Sequence, residues 1–364
     1  PGSKLPRRLW RCIKGTSRTM NRQDEVFLTS LGFQAGRGSS WRLFYRKGNL
    51  LMILPDEPRK MRRGLALYRP QKALAGMMVR VIGSAPFGSR MLPRWKGDHL
   101  SSGPVSEILG HLKGELDCLL LGNPLQDERR AILLTDTASR GRLIVKLGTT
   151  PPAIAKIRRE GDFLKAYYKK GWMMPEIHHS WTEAKWSAFS MTFQEAPAAP
   201  SQSGLCRLFK MWAADGRVCA LGDFAGWKDL YSVMVECQVD TMTLQELQEL
   251  ELRQTLRHGD FAPWNILGPG DDDELIVIDW EFGEVDSIPG LDLVHYLIIP
   301  AILVDGLAPL AALESARASL QNEPGFQELM MLWGWRDRID LLLKVYCYSM
   351  KGELEGFDEL ARAV

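Results

Sequence analysis

The sequence predicts an α+β chain of two lobes, a small antiparallel-sheet N-lobe and a mostly helical C-lobe, with an extra basic segment in front. Three observations predict it. Between residues 113 and 194 short apolar runs alternate with turn-rich stretches, the spacing of an antiparallel meander. Past a Pro- and Ala-rich linker at 196–201, apolar residues recur at helical spacing. Charge also divides along the chain. Residues 1–100 carry 21 Lys+Arg against 5 Asp+Glu, a net of +16, while residues 101–364 hold 25 basic and 39 acidic groups, a net of −14. The total of +2 is a cancellation between unlike parts.

The 364 residues, 45% apolar and 25% charged, exclude a disordered chain, a collagen-like fibre and a disulfide-stapled miniprotein. Six cysteines, at 12, 118, 206, 219, 237 and 347, form no CxxC pair. They read as reduced thiols in a reducing, cytoplasmic setting. The opening Pro1-Gly2-Ser3 reads as a tag remnant, and Arg7, Arg8, Arg11 and Lys14 interrupt any apolar core of a secretory signal. The longest apolar run, Leu293 to Leu313, is broken by His295, Pro300, Asp305 and Pro309. It reads as buried helical core rather than a membrane span.

In chain order, Trp41 to Arg46 and Leu50 to Leu54 flank a Gly48-Asn49 turn and predict a β-hairpin. A basic cluster, Pro58 to Arg63, follows; 64–98 gives no clear assignment. Leu116–Leu121, Arg130–Thr135 and Arg142–Leu147 predict three strands. Pro151-Pro152 then introduces a helix over 153–170, with Ile154, Ile157, Phe163, Leu164 and Tyr167 at helical spacing. Ile177–Trp181 and Trp186–Gln194 predict two more strands. Beyond the linker, Thr243 with Glu246 three residues on predicts a capping box opening a helix. Leu275–Ile278 predicts a short strand, and the remainder favours helices. The expected organisation is 1–105 as a basic N-terminal extension or small α/β domain, 106–195 as the sheet lobe and 196–364 as the helical lobe.

The chemistry-bearing signal is His258-Gly259-Asp260-Phe261-Ala262-Pro263-Trp264-Asn265, followed fourteen residues after the asparagine by Asp279-Trp280-Glu281. Phosphoryl transfer needs a carboxylate to orient and deprotonate the attacking hydroxyl, and hard oxygen ligands to hold magnesium against the phosphates. An Asp and an Asn five residues apart on one loop, with a second Asp ending a neighbouring strand, supply that set. A His-Gly-Asp tripeptide alone arises often by chance; the added spacing gives it weight.

With these residues the sequence resembles the aminoglycoside phosphotransferase and choline kinase-like family, a branch of the protein-kinase-like fold, over residues 110–364. The resemblance implies Asp260 as catalytic base, Asn265 and Asp279 as magnesium ligands, Glu281 as a further acidic ligand, and His258 and Asp292 as supports of the loop. It also implies that Lys146, on the third strand of the meander, contacts nucleotide phosphates and pairs with Glu160 on the following helix. The loop from Gly122 to Arg129 would cover the nucleotide, although it holds one glycine and then Pro124 where the family pattern is richer in glycine. The adenine edge would meet backbone near Gln194, Glu195 and Ala196. The implied activity is transfer of the γ-phosphoryl group of ATP or GTP, with Mg2+, to a hydroxyl of a small molecule, a sugar or glycan first. Alternatives are an aminoglycoside or amino-alcohol (choline-type) acceptor, and a non-catalytic nucleotide-binding scaffold. A protein kinase is disfavoured, since His-Gly-Asp replaces His-Arg-Asp and no Ala-Pro-Glu follows Asp279.

Asp271-Asp272-Asp273-Glu274 reads as a solvated turn, and His178-His179 lacks partners at metal-ligand spacing. The basic first hundred residues leave three readings: a cap on the acidic lobes, contact with an anionic surface such as lipid headgroups at the inner face of a membrane or an acidic glycan, or nucleic-acid binding, the last disfavoured because no known module is present.

Overall fold

A computed structural model of the chain describes residues 20–46, 49–65, 67–68, 79, 82, 92–99, 102–122, 128–194, 200–268 and 275–352. The described residues fall into two compact units. The first holds those up to Lys165 together with Glu176–Gln194; the second holds Ala166–Pro175 together with those from 200 onward.

The first unit contains helix α1 (Arg22–Ser30), strands β1 (Phe33–Arg46) and β2 (Asn49–Pro55), helix α2 (Pro58–Leu65), strand β3 (Arg94–His99) and helix α3 (Pro104–Leu112). Strands β4 (Gly114–Leu121), β5 (Arg130–Thr137) and β6 (Gly141–Gly148), helix α4 (Pro151–Tyr167, its last two residues in the second unit), and strands β7 (Ile177–Thr182) and β8 (Ser187–Thr192) follow. All eight strands join one sheet in the order β3-β1-β2-β4-β5-β6-β8-β7, and each of its pairs is antiparallel. The expected hairpin, meander, helix and two further strands are all present, and the basic cluster 58–63 is the body of α2.

The expected boundary at 105 does not coincide with a break in this sheet. Met52 and Ile53 of β2 pair with Leu120 and Leu119 of β4. One apolar cluster contains Phe27, Leu31, Trp41 and Leu50 from before that boundary and Leu119, Leu133, Val145 and Leu147 from after it. Burying an apolar side chain of this size contributes about 1.5–3 kcal/mol. Because strand side chains alternate between faces, Val145 and Leu147 point into this cluster and Lys146 to the opposite face. There α2 packs its buried Gly64 against Leu54 and Cys118, and α4 packs against β6. Covering both faces explains why β4–β6 read as near-continuous apolar runs.

Among the described residues, several basic side chains of the N-terminal segment pair with carboxylates of the same unit. Arg42 pairs with Asp56 at 2.6 Å, Lys60 with Glu115 at 2.6 Å, and Arg63 with Asp136 at 2.9 Å and Asp117 at 3.5 Å. Arg129 and Asp24, both buried, pair at 2.7 Å.

The second unit is mostly helical, as expected, which makes the chain α+β. It contains α5 (Gln202–Trp212), β9 (Val218–Ala220), α6 (Trp227–Glu236), α7 (Thr241–Glu249), β10 (Glu251–Arg253), β11 (Thr255–Arg257), β12 (Ile266–Leu267), β13 (Ile276–Val277), β14 (Glu284–Ser287), α8 (Leu291–Leu303), α9 (Pro309–Asn322), α10 (Pro324–Trp333) and α11 (Ile339–Ser349). Its short strands pair as β9-β10, β11-β14 and β12-β13. The cap of α7 differs from expectation. Asp240, not Thr243, is the N-cap: its Oδ1 accepts from the Thr243 N–H at 2.9 Å and its Oδ2 from the Thr243 hydroxyl at 2.6 Å. The Asp240 carboxylate accepts from the amide at the third helical position, so the cap lies three residues earlier than expected. The expected strand at 275–278 shortens to Ile276–Val277. Among the described residues no helix is long and apolar enough to cross a membrane.

Candidate active site

In the first unit the predicted pair forms. Lys146 Nζ lies 2.5 Å from Glu160 Oε1, with the side chains 6% and 0% exposed. The geometry follows from regular elements. Gly148 ends β6 where the first turn of α4 crosses it, and a Cβ there would stand 2.7 Å from the backbone of Ala153. Two further turns along α4 bring Glu160 over Lys146. The Phe189 ring, cross-strand from Lys146, has its centroid 6.0 Å from the ammonium, and together with the helix excludes water from the pair. Gly122, at the end of β4, donates its N–H to Arg130 at 2.8 Å and accepts from Arg129 Nε at 3.2 Å. Gln194 follows β8 and is half-buried. Glu195 and Ala196 lie outside the described residues, as do Asp271–Glu274.

The second unit brings Asp260, Asn265, His258 and Asp292 together. Strand β11 feeds the loop, and its pairing with β14, Thr255 opposite Ser287 and Arg257 opposite Glu284, fixes where the loop begins. Gly259 turns the chain at φ +86°, and a Cβ there would stand 2.5 Å from Cβ of Phe282. Only glycine meets both demands. Asp292, in the first turn of α8, accepts from the backbone N–H groups of His258 (2.5 Å) and Gly259 (3.0 Å). Its charge also suits the positive end of the α8 dipole. One carboxylate thus ties two successive loop amides to a helix.

His258, fully buried, bonds through both ring nitrogens. The Asp260 N–H donates to Nδ1 at 3.2 Å, so Nε2 carries the hydrogen and donates to the Ile278 carbonyl at 2.8 Å. The ring stacks edge-on against Trp280, centroids 4.8 Å apart. His258 therefore joins the Asp260 loop to the segment carrying Asp279, and its contacts are those of a support. Around it Trp212, Phe209, Phe261 and Trp280 form an edge-to-face aromatic core.

Asn265 closes the loop. Its Nδ2 donates to the Asp260 carbonyl at 2.7 Å and lies 3.3 Å from Asp260 Oδ2. Asp260 keeps its side chain 41% exposed, unlike the buried groups around it. The β12-β13 hairpin sets the second carboxylate. Ile266 pairs with Val277, and the Ile278 N–H continues the ladder to the Asn265 carbonyl at 2.9 Å, leaving Asp279 one residue beyond the asparagine's own partner. Asp279 adopts φ +71°, a left-handed conformation that Asp tolerates at a cost. Glu281, on the next turn, is 8% exposed.

The donor set suits a hard divalent cation in kind. Asn265 spends its N–H on Asp260, which turns the amide oxygen away from that carboxylate, and two acidic residues follow within the hairpin and its turn. Among the described residues no group of three or more His, Cys, Asp and Glu side chains is assembled for a metal ion, so such a site would depend on the asparagine and on the substrate's own oxygens.

Two residues complete the cluster that the motif does not contain. His295, on α8, places Nε2 3.2 Å from Asp260 Oδ1, and the Tyr346 hydroxyl of α11 lies 3.2 Å from His295 Nδ1. His295 sits three residues after Asp292, so both project toward the loop from one helix face; that spacing was a readable signal. Tyr346, fifty-one residues further on, carried none.

No protein-family model and no curated protein sequence matches the chain. Solved structures similar to it include a provisional fructosamine-3-kinase from Haemophilus somnus 129PT (12% identity, 71% of this chain and 94% of that one, TM-score 0.44). An ethanolamine kinase from Plasmodium vivax (12%, 69% and 81%, 0.38) and the choline kinase LicA from Streptococcus pneumoniae (12%, 71% and 95%, 0.37) are similar too. At these TM-scores the likeness carries no weight for function, which has to stand on the chain's own residues.

Proposed function

We propose that the chain is a phosphotransferase of the protein-kinase-like fold, moving the γ-phosphoryl group of ATP or GTP to a hydroxyl of a small molecule. A sugar or glycan-related alcohol is the first acceptor class to test. The observation that carries this reading is the Asp260 carboxylate, partly exposed, on a loop held by Asp292, His258 and Asn265. A group that must meet a substrate hydroxyl needs exposure at one end and a fixed backbone at the other. Asp260 takes the proton of the acceptor hydroxyl as its oxygen bonds to the γ-phosphorus. The bond from that phosphorus to the bridging oxygen breaks, and the nucleoside diphosphate leaves with the electron pair. Asn265, Asp279 and Glu281 would hold Mg2+, which when bound neutralises phosphate charge. The Lys146–Glu160 pair supports the reading from the first unit: a buried ammonium fixed by one carboxylate is suited to orient nucleotide phosphates.

The test is magnesium-dependent turnover of ATP and GTP by the purified chain, against Asp260→Ala and Asp279→Ala, with sugars, amino-alcohols and aminoglycosides as acceptors. Both variants are expected to lose at least about a hundredfold in turnover. If both match the wild type in turnover and in nucleotide-induced thermal shift, the enzymatic reading fails. Retained nucleotide shifts with no turnover in any protein would favour a nucleotide-binding scaffold.

A further inference from the structure

We propose that His295 is a positioning residue for Asp260: its Nε2–H is donated to Oδ1, in a tautomer selected by the Tyr346 hydroxyl. The inference rests on the reading of Asp260 as the base and adds what holds that carboxylate in place.

The hydrogen-bonding inventory sets the direction. An ionised carboxylate only accepts, so the ring nitrogen 3.2 Å from Asp260 Oδ1 must carry hydrogen for the contact to attract. In a neutral imidazole the other nitrogen, Nδ1, is then an acceptor and needs a donor. The Tyr346 hydroxyl at 3.2 Å supplies it. Burial pushes the Tyr346 phenol well above its ordinary range, so it stays protonated. His295 is 7% exposed and Tyr346 1%, which removes water as a competing partner for either ring.

Two consequences follow. Asp260 has a donor at each oxygen, His295 at Oδ1 and Asn265 Nδ2 at 3.3 Å from Oδ2. This pins the carboxylate plane, whose rotation about the Cβ–Cγ bond is otherwise broad and soft. Second, because Nε2 already carries hydrogen, His295 cannot accept the proton that Asp260 takes from the acceptor hydroxyl. The proton stays on Asp260 until solvent or product removes it. His295 and Asp292 share one face of α8, so a single helix orders both the backbone and the carboxylate of the loop.

The first experiment needs no acceptor. In the full chain with 15N-labelled histidine, long-range proton–nitrogen spectra at neutral pH are expected to show His295 protonated at Nε2 and bare at Nδ1. In Tyr346→Phe the two nitrogen resonances should move toward each other as the tautomers mix. A wild-type His295 bare at Nε2, or protonated at both nitrogens, overturns the proposal. The second experiment uses magnesium-dependent ATP hydrolysis. His295→Leu is expected to lower kcat about tenfold, with KM for ATP held within about twofold. His295→Gln, which keeps an N–H donor, should recover most of that loss. Equal kcat in wild type and His295→Leu, or no recovery in His295→Gln, overturns it. If the wild type turns over no nucleotide, the proposed function fails while the tautomer measurement still decides the hydrogen-bond assignment.

Discussion

The Lys146–Glu160 pair and the Asp260 loop both hold charged groups in place, and they do so by different means. The first is built on regular elements. A strand and a helix, packed through Gly148 and Phe189, bring two side chains together, and the backbone there needs no tie beyond its own ladders. The second is built on irregular backbone with left-handed residues at Gly259 and Asp279. Its shape depends on side chains that bond to main chain: Asp292 to two amides, His258 to a carbonyl and an amide, Asn265 to a carbonyl. Packing positions what secondary structure presents, whereas a loop needs a partner for each exposed backbone group.

This contrast predicts how each region breaks. The largest effect belongs to Asp260→Asn, which keeps shape and removes the proposed base. Turnover should fall about 10²–10⁴-fold, with folding unchanged by thermal melting. Next is Glu160→Ala, which leaves a buried ammonium without its carboxylate. Denaturant unfolding should show a loss of about 3–5 kcal/mol. The double change Lys146→Met with Glu160→Met sharpens the point. Replacing both partners by apolar chains should return stability to within about 1 kcal/mol of wild type while turnover stays lost, separating the pair's role in function from its role in folding.

Asp292→Ala should cost about 3 kcal/mol, since hydrogen bonds to a charged group are worth about 1.5–3 kcal/mol each, and the damage should concentrate in the loop. Hydrogen exchange at the His258 and Gly259 amides would read it directly. Gly259→Ala forces a side chain into φ +86° and against Phe282 and should cost about 1–3 kcal/mol by denaturant unfolding. The smallest expected change is a gain. Asp117 is fully buried, its oxygens lack hydrogen-bond partners, and Arg63 stands 3.5 Å away. Burial raises its carboxyl above the ordinary range, against the pull of the Arg63 guanidinium. The folded state therefore keeps this proton to higher pH than the unfolded chain. That contribution to stability is lost as pH rises from the ordinary carboxylate range through the raised value. Asp117→Asn should be more stable than wild type by about 1 kcal/mol at neutral pH, with the gap closing in acid. Melting curves across pH would check the sign.

The residues the loop brings together were legible because they are consecutive or nearly so. His258, Asp260 and Asn265 lie within eight positions, and Asp279 and Glu281 follow across one short hairpin. The meander and the helix carrying Glu160 were legible from the period of apolar residues. The reach of the sheet was not. Nothing in residues 33–55 says that β2 will pair with β4 across an intervening α2, β3 and α3, since register across such a separation is set by which apolar faces meet. The start of α7 differs for a local reason: Asp240 and Thr243, three residues apart, are both capping residue types, and the chain caps at the first, whose carboxylate accepts from the Thr243 amide.

By itself the sequence determined the element types, the order of sheet-rich and helical parts, and the residues of the loop, because these depend on local periodicity and on side-chain chemistry. Tertiary structure alone decided that β1–β3 extend the same sheet and that Lys60 and Arg63 meet carboxylates of β4 and β5. It also decided that His295 and Tyr346 reach Asp260. Both outcomes come from long-range packing, which buries polar groups far apart in the chain beside one another and makes each the other's partner in place of water.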